Sequence, residues 1–187
     1  AADQRAPLVP YLKAALFAVI GSWNVWGVHV AVALMLGLAA VLLWLIGRRL
    51  GDGKAGLWGA FLFTLINYNL LNPMDAFTAH VGWFLIFFST LGVWLFAIAF
   101  TGGGRWPAVL AGTAFGLSFL CKQPGLLDFG VTLVLSVIIM AAVPNRRREL
   151  RRTMILMVAA FAAVFGLTII YFAANHALHD FFFYAWN

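Results

Sequence analysis

The residues of this chain that could take part in ionic or acid–base chemistry lie near the ends of apolar segments. Lys122 ends one apolar stretch, and Asp128 lies near the start of the next one. Three further charged residues stand outside the apolar stretches: Asp3, Arg5 and Asp75. In a membrane protein, positions of this kind lie at the interface between water and lipid. These residues therefore predict chemistry on a polar or charged group that is held at a membrane surface.

The middle of each apolar segment carries no Asp, Glu, Lys or Arg, and Asp128 comes nearest to being an exception. Pumps and ion-coupled transporters usually place ionisable groups near the midplane of the bilayer, so a transporter is disfavoured. His29 and His80 lie near the starts of two predicted spans. Either is conceivable as a metal or pigment ligand, but we expect interfacial hydrogen bonding instead. No metal site and no cofactor are predicted.

The composition places the chain in a membrane. Hydrophobic residues make up 64% of it and charged residues 10%, with a mean hydropathy of +0.97, whereas soluble domains carry about 25% charged residues. A soluble globule, a disordered chain and a nucleic-acid-binding module are therefore excluded as classes. The net charge of +6 comes from basic residues at the ends of apolar runs, which is typical of membrane proteins. Cys121 is the only cysteine, so no intrachain disulfide can form.

The apolar runs are continuous rather than alternating, which favours transmembrane helices over barrel strands. The sequence predicts an all-α polytopic membrane protein, with residues 1–187 forming a single transmembrane domain. A short apolar segment at 8–20 is predicted to be an interfacial or re-entrant helix. The strongest charge run, residues 146–152, is expected to be a solvated loop near anionic headgroups. We expect six spans, at about 28–47, 55–71, 78–100, 106–121, 125–143 and 153–174.

The distribution of basic residues predicts the orientation. Nine of the twelve lie in the loops after the first, third and fifth spans: Arg48, Arg49, Lys54, Arg105, Arg146, Arg147, Arg148, Arg151 and Arg152. The positive-inside rule assigns these loops to the cytoplasm. Both ends of the chain, together with Lys122 and Asp128, then face the outside. A bacterial inner membrane with a periplasmic outer face is the expected location.

Four stretches, taken in order, carry a family resemblance. They are DQRAPL at 3–8 followed by Tyr11-Leu12, VLLWLIGRRLG at 41–51, NPMDA at 72–76, and LAGTAFGLSFLCKQP at 110–124. The tail HDFFFY at 179–184 fits the same pattern. In this order the stretches resemble the membrane portion of polyprenyl-phosphate-sugar-dependent glycosyltransferases of the GT-C superfamily. The branch that they resemble contains protein O-mannosyltransferases and aminoarabinose transferases.

The resemblance implies a sugar donor carried on a polyprenyl phosphate. It assigns Lys122 to the lipid phosphate, with Arg5 as a second candidate cation. Lys122 could equally be a snorkelling lysine that marks the end of a helix. Asp75 and Asp128 would orient sugar hydroxyls or pair with Lys122, and either could equally cap a helix. Asp3 matches the end of the first outer loop of the family.

The resemblance also implies that a catalytic residue lies elsewhere. The family's general base is an aspartate in the first outer loop, and this chain opens only at the end of that loop. The sequence also differs from the family pattern at two places in the first stretch. Ala6 stands where the family has a proline, and Gln4-Arg5 stands where the family has a pair containing histidine. We therefore expect a fragment, the N-terminal membrane portion of a longer enzyme, that does not catalyse by itself.

A second hypothesis is a non-catalytic helical subunit of a larger membrane assembly, such as a photosynthetic or respiratory complex. Under it, the partners would be the other subunits of that complex. Under the first hypothesis, they are membrane lipids and the lipid-linked sugar, and neither hypothesis includes nucleic acid. The small residues of the fourth span are expected to serve close helix packing in both cases: Ala108, Ala111, Gly112, Ala114 and Gly116.

Overall fold

The chain is helical throughout the part that the structure describes, a computed structural model covering residues 7–21, 24–69 and 80–186. This part contains eight α-helices and one short 3-10 helix, Pro144–Arg146. The all-α prediction is confirmed. The α-helices are α1 (Leu8–Ile20), α2 (Val25–Leu50), α3 (Gly53–Asn69), α4 (Val81–Phe100), α5 (Arg105–Cys121), α6 (Gly125–Ala142), α7 (Arg147–Ala174) and α8 (Leu178–Trp186).

Four of these helices are long and apolar enough to cross a membrane: α2, α4, α6, and α7 together with the 3-10 turn before it. Helix α1 is the short apolar helix that the sequence predicted at 8–20. Helices α3 and α5 have 17 residues each, or about 26 Å at 1.5 Å per residue. This is slightly less than a hydrocarbon core of about 30 Å. Four helices are therefore candidate spans by length and composition. The full set of six spans remains a prediction.

The arginine-rich run at 146–152 is not the loop that the sequence predicted. It forms the end of the 3-10 turn and the beginning of α7, which starts six residues before the predicted residue 153. Arg, Glu and Leu are strong helix formers, so the run continues the apolar helix that follows it. Glu149 lies in the first turn, where a negative charge interacts favourably with the helix dipole.

The basic residues gather at one end of the bundle, which we call the arginine end (residues 48–54, 100–105 and 142–148). Arg49 Nε donates to Thr101 Oγ1 at 2.6 Å, joining the ends of α2 and α4. Arg146 Nη1 donates to the carbonyl of Phe100 at 3.1 Å, which brings the start of α7 to the same place. The opposite end, where α5 turns into α6 at residues 121–125, is the Lys122 end.

Helix α5 lies at the centre of the bundle and packs against both α4 and α7. Its small residues permit this, as the sequence predicted. A Cβ added to Gly112 would collide with the main-chain carbonyl of Met157, and one added to Gly116 would lie 2.9 Å from Val164 Cβ. Aromatic rings fill the remaining space, with Phe129 and Phe161 stacked at 4.5 Å between centroids. This core fixes the ends of α4, α5 and α6 relative to one another.

Candidate functional site

Three polar side chains from three helices meet near the Lys122 end and form what we call the serine–aspartate cluster. Ser89 Oγ of α4 donates to Asp128 Oδ2 of α6 at 2.5 Å. Ser118 Oγ of α5 lies 2.7 Å from Ser89 Oγ and 3.3 Å from the carbonyl of Leu85. Because the single proton of Ser89 goes to the carboxylate, Ser118 is the donor in the serine–serine bond. Its one proton can go to Ser89 Oγ or to the more distant Leu85 carbonyl, and both of these acceptors lie on α4.

The local sequence explains how the cluster forms inside an apolar bundle. Asp128 stands in the first turn of α6, where the partial positive charge of the helix amino terminus stabilises a carboxylate. Gly125 begins that helix, and a Cβ there would lie 2.6 Å from Ser118 Oγ. Only a glycine lets α6 start this close to α5. Ser89 and Ser118 are buried, and their hydrogen bonds offset the cost of removing hydroxyl groups from water.

Lys122 follows directly on the carboxyl end of α5. Its backbone N–H donates to the carbonyl of Ser118 at 3.2 Å, and its own carbonyl accepts from Gly125 N at 3.0 Å. The side chain is exposed, and the described residues offer its ammonium no carboxylate within 4.0 Å. The predicted alternative of a Lys122–Asp128 pair is therefore not observed, because Asp128 bonds to Ser89 instead.

An apolar groove of about 520 Å³ runs between α2, α4 and α6, starting at the serine–aspartate cluster. Its lining spans Asp128 to Ile139 on α6, about 17 Å at 1.5 Å per residue, and Leu85 to Phe100 on α4, about 23 Å. Apart from the side chains of Ser89, Thr90, Asp128 and Thr132, it is lined by hydrocarbon. It therefore covers more than half of a bilayer core, and its polar groups lie mainly towards one end.

A smaller cavity of about 400 Å³ lies where α1 meets the carboxyl ends of α5 and α7. Tyr11 and Tyr171 both line it, and their side chains are hydrogen-bonded. That bond raises the pKa of Tyr11 above its ordinary value, with burial adding in the same direction. The contact joins α1 to the carboxyl end of α7, and Leu120 near the end of α5 lines the same cavity.

The other predicted site residues have different outcomes. Arg5, Asp3 and Asp75 lie outside the described residues. His80 precedes α4, where its Nδ1 accepts from the backbone N–H of Gly82 at 3.2 Å, so the expected hydrogen-bonding role is confirmed for this histidine. It is not confirmed for His29, whose buried Nδ1 has no hydrogen-bond partner among the described residues. Within the described ranges, no three His, Cys, Asp or Glu side chains come together as metal ligands would.

Sequence reasoning missed Ser89 and Ser118. A serine inside an apolar helix often bonds to the carbonyl four residues earlier, as the hydroxyl of Thr90 does with Ile86 at 2.7 Å. Nothing in the local pattern separates Ser89 from that ordinary case, because its partner lies 39 residues away.

A helical bundle with four apolar candidate spans defines an integral membrane protein. Residues 4–172 match the family described as dolichyl-phosphate-mannose-protein mannosyltransferase, and the chain belongs to this GT-C family. The resemblance predicted from the sequence is therefore confirmed. The family implies a polyprenyl-phosphate sugar as donor. No curated protein and no solved structure matches the chain significantly.

Proposed function

We propose that this chain is the membrane part of a glycosyltransferase that takes a sugar from a polyprenyl-phosphate donor at the outer membrane face. Lys122 binds the lipid phosphate, and Asp128 orients sugar hydroxyls. The observation that carries the proposal is that two groups flank the same turn between α5 and α6: an ammonium group with no carboxylate partner among the described residues, and a hydrogen-bonded carboxylate. Family membership favours this function over that of a non-catalytic subunit of a larger complex.

The two parts of the donor need different surroundings. The phosphate needs a fixed cation, and a lysine that bonds to no carboxylate of the described chain is free to supply it. The isoprenoid chain needs hydrocarbon contacts, which the groove between α2, α4 and α6 offers along more than half of the bilayer core. A lipid that lies in this groove has its polar end beside Asp128.

The role of Asp128 follows from its partner. Ser89 occupies Oδ2, and Oδ1 has no partner among the described residues, so it could accept hydrogen bonds from sugar hydroxyls. Arg5 remains the second candidate for the phosphate, and Asp3 and Asp75 remain candidates for supporting the site.

Binding of a short polyprenyl phosphate to the purified protein in detergent tests the role of Lys122 without requiring activity. We expect Lys122→Ala to weaken binding by about tenfold or more, since hydrogen bonds to charged groups contribute about 1.5–3 kcal/mol. Lys54→Ala is the matched control, because Lys54 is an exposed lysine at the arginine end. The corresponding polyprenyl alcohol, which lacks the phosphate, should bind equally to the wild type, Lys122→Ala and Lys54→Ala.

Unchanged affinity of Lys122→Ala for the phosphate would refute the phosphate role. A parallel loss of affinity for the alcohol would refute it too, since a purely structural effect would weaken both ligands. A sugar-transfer assay on the complete enzyme, with the same substitution, tests the proposed reaction itself.

A further inference from the structure

The start of α7 extends beyond the hydrocarbon of the bilayer. The helix has 28 residues, or about 42 Å at 1.5 Å per residue, whereas the hydrocarbon core is about 30 Å thick. The excess of about 12 Å corresponds to about eight residues. These are the residues at the arginine-rich beginning of the helix, because the remainder of α7 is apolar.

Three arginines share one face of that extension. Arg148, Arg151 and Arg152 are three and four residues apart, so their side chains lie together on the helix surface. They line a shallow concavity of about 730 Å³ with Asn145 and Glu149. The same concavity continues onto Ile155 and Leu156 one turn further along. A positive surface is thus followed directly by an apolar one, in the order of the headgroup and the acyl chains of a lipid.

These arginines have no partners among the described residues, in contrast to their neighbours. Arg146 and Arg147 donate to the backbone carbonyls of Phe100 and Met140 at 3.1 and 2.9 Å. Arg148, Arg151 and Arg152 are exposed and make no hydrogen bond or ion pair with the part of the chain that the structure describes. Residues 146–152 contain five arginines and one glutamate, so their net charge is +4.

We propose that the face formed by Arg148, Arg151, Arg152, Ile155 and Leu156 binds an anionic phospholipid. The guanidinium groups pair with the phosphate, which they can contact through two donors at once, and the two apolar side chains contact the first acyl segment. Ile155 is 60% exposed, so this contact is open. The site lies at the opposite end of the bundle from Lys122 and does not depend on the proposed donor site.

Titration of the whole protein in neutral detergent with dioctanoyl phosphatidylglycerol tests this site, with dioctanoyl phosphatidylcholine and glycerol 3-phosphate as comparison probes. Each basic residue near an anionic membrane surface contributes about 1 kcal/mol, so Arg151→Gln/Arg152→Gln should weaken phosphatidylglycerol binding about thirtyfold. The matched control is Lys54→Gln/Arg105→Gln, which removes two exposed cations from the arginine end. It should weaken binding less than threefold.

The comparison probes separate the possible sources of the phosphate. Wild-type protein should bind phosphatidylglycerol at least tenfold more tightly than either phosphatidylcholine or glycerol 3-phosphate. Equal binding of glycerol 3-phosphate would identify a site for free phosphate and overturn the lipid assignment. Equal losses of phosphatidylglycerol affinity in the two double variants would show that the whole charged end attracts the lipid without a specific site. That result would overturn the proposed lipid site on α7.

Discussion

Ser89 Oγ donates to Asp128 Oδ2 at 2.5 Å and so ties α4 to α6 beside the turn that carries Lys122. Short hydrogen bonds from a hydroxyl to a carboxylate are among the stronger polar contacts in proteins, particularly where water is scarce. The bond engages Asp128 Oδ2, and Lys122 has no carboxylate within 4.0 Å among the described residues. A structural contact between two helices therefore holds the carboxylate that the proposed donor site would use.

Removing either partner of this bond should have nearly the same effect as removing both. Ser89→Ala and Asp128→Ala should each lower the unfolding temperature in detergent, because each leaves a partly buried polar group without its partner. In a double-mutant cycle we expect a coupling energy of about 0.5–3 kcal/mol. Additive effects of the two substitutions would show that the two side chains do not interact in the folded protein.

The packing of α5 on α7 predicts a strong effect at Gly112. In Gly112→Ala, the new methyl group meets the main-chain carbonyl of Met157, which cannot move without shifting α7. We expect a loss of about 1–3 kcal/mol, as for other overpacked sites, seen as a lower unfolding temperature. Gly166→Ala is the control, because a Cβ at Gly166 has no neighbour within 4 Å. Alanine has a higher helix propensity than glycine, so Gly166→Ala should leave stability unchanged or slightly increased. Equal destabilisation by Gly112→Ala and Gly166→Ala would contradict the close packing at Gly112.

The sequence predicted the helices better than it predicted the site. Apolar length and positions such as Pro124 delimit helices through local rules, so α1 and α6 begin at the expected residues. The helical form of residues 147–152 was missed because the arginine run was expected to be a loop, although arginine favours a helix. The serine–aspartate cluster was missed because Ser89 and Asp128 are joined only by the way α4 packs beside α6.

Narrowing the groove should weaken donor binding without affecting the fold. Val131 and Val134 both lie on α6 and are 59% and 60% exposed, but only Val131 lines the groove. In Val131→Trp, the larger ring occupies space proposed for the isoprenoid chain, and we expect about tenfold weaker binding of a polyprenyl phosphate. Val134→Trp should bind as wild type does. If both substitutions weaken polyprenyl-phosphate binding equally, or if neither does, the groove is not part of the donor site.

Cysteine labelling tests the predicted orientation of the bundle. The natural Cys121 is fully buried and should not react with a membrane-impermeant maleimide in the folded protein. His179 is 91% exposed beyond the Lys122 end, so His179→Cys should be labelled in intact cells that have only their outer membrane permeabilised. Lys54→Cys lies at the arginine end and should be labelled only after the inner membrane is opened, because the positive-inside rule assigns that end to the cytoplasm. Labelling of Lys54→Cys from outside, with His179→Cys protected, would reverse the orientation and place Lys122 on the cytoplasmic side. A donor site at the outer face would then be impossible.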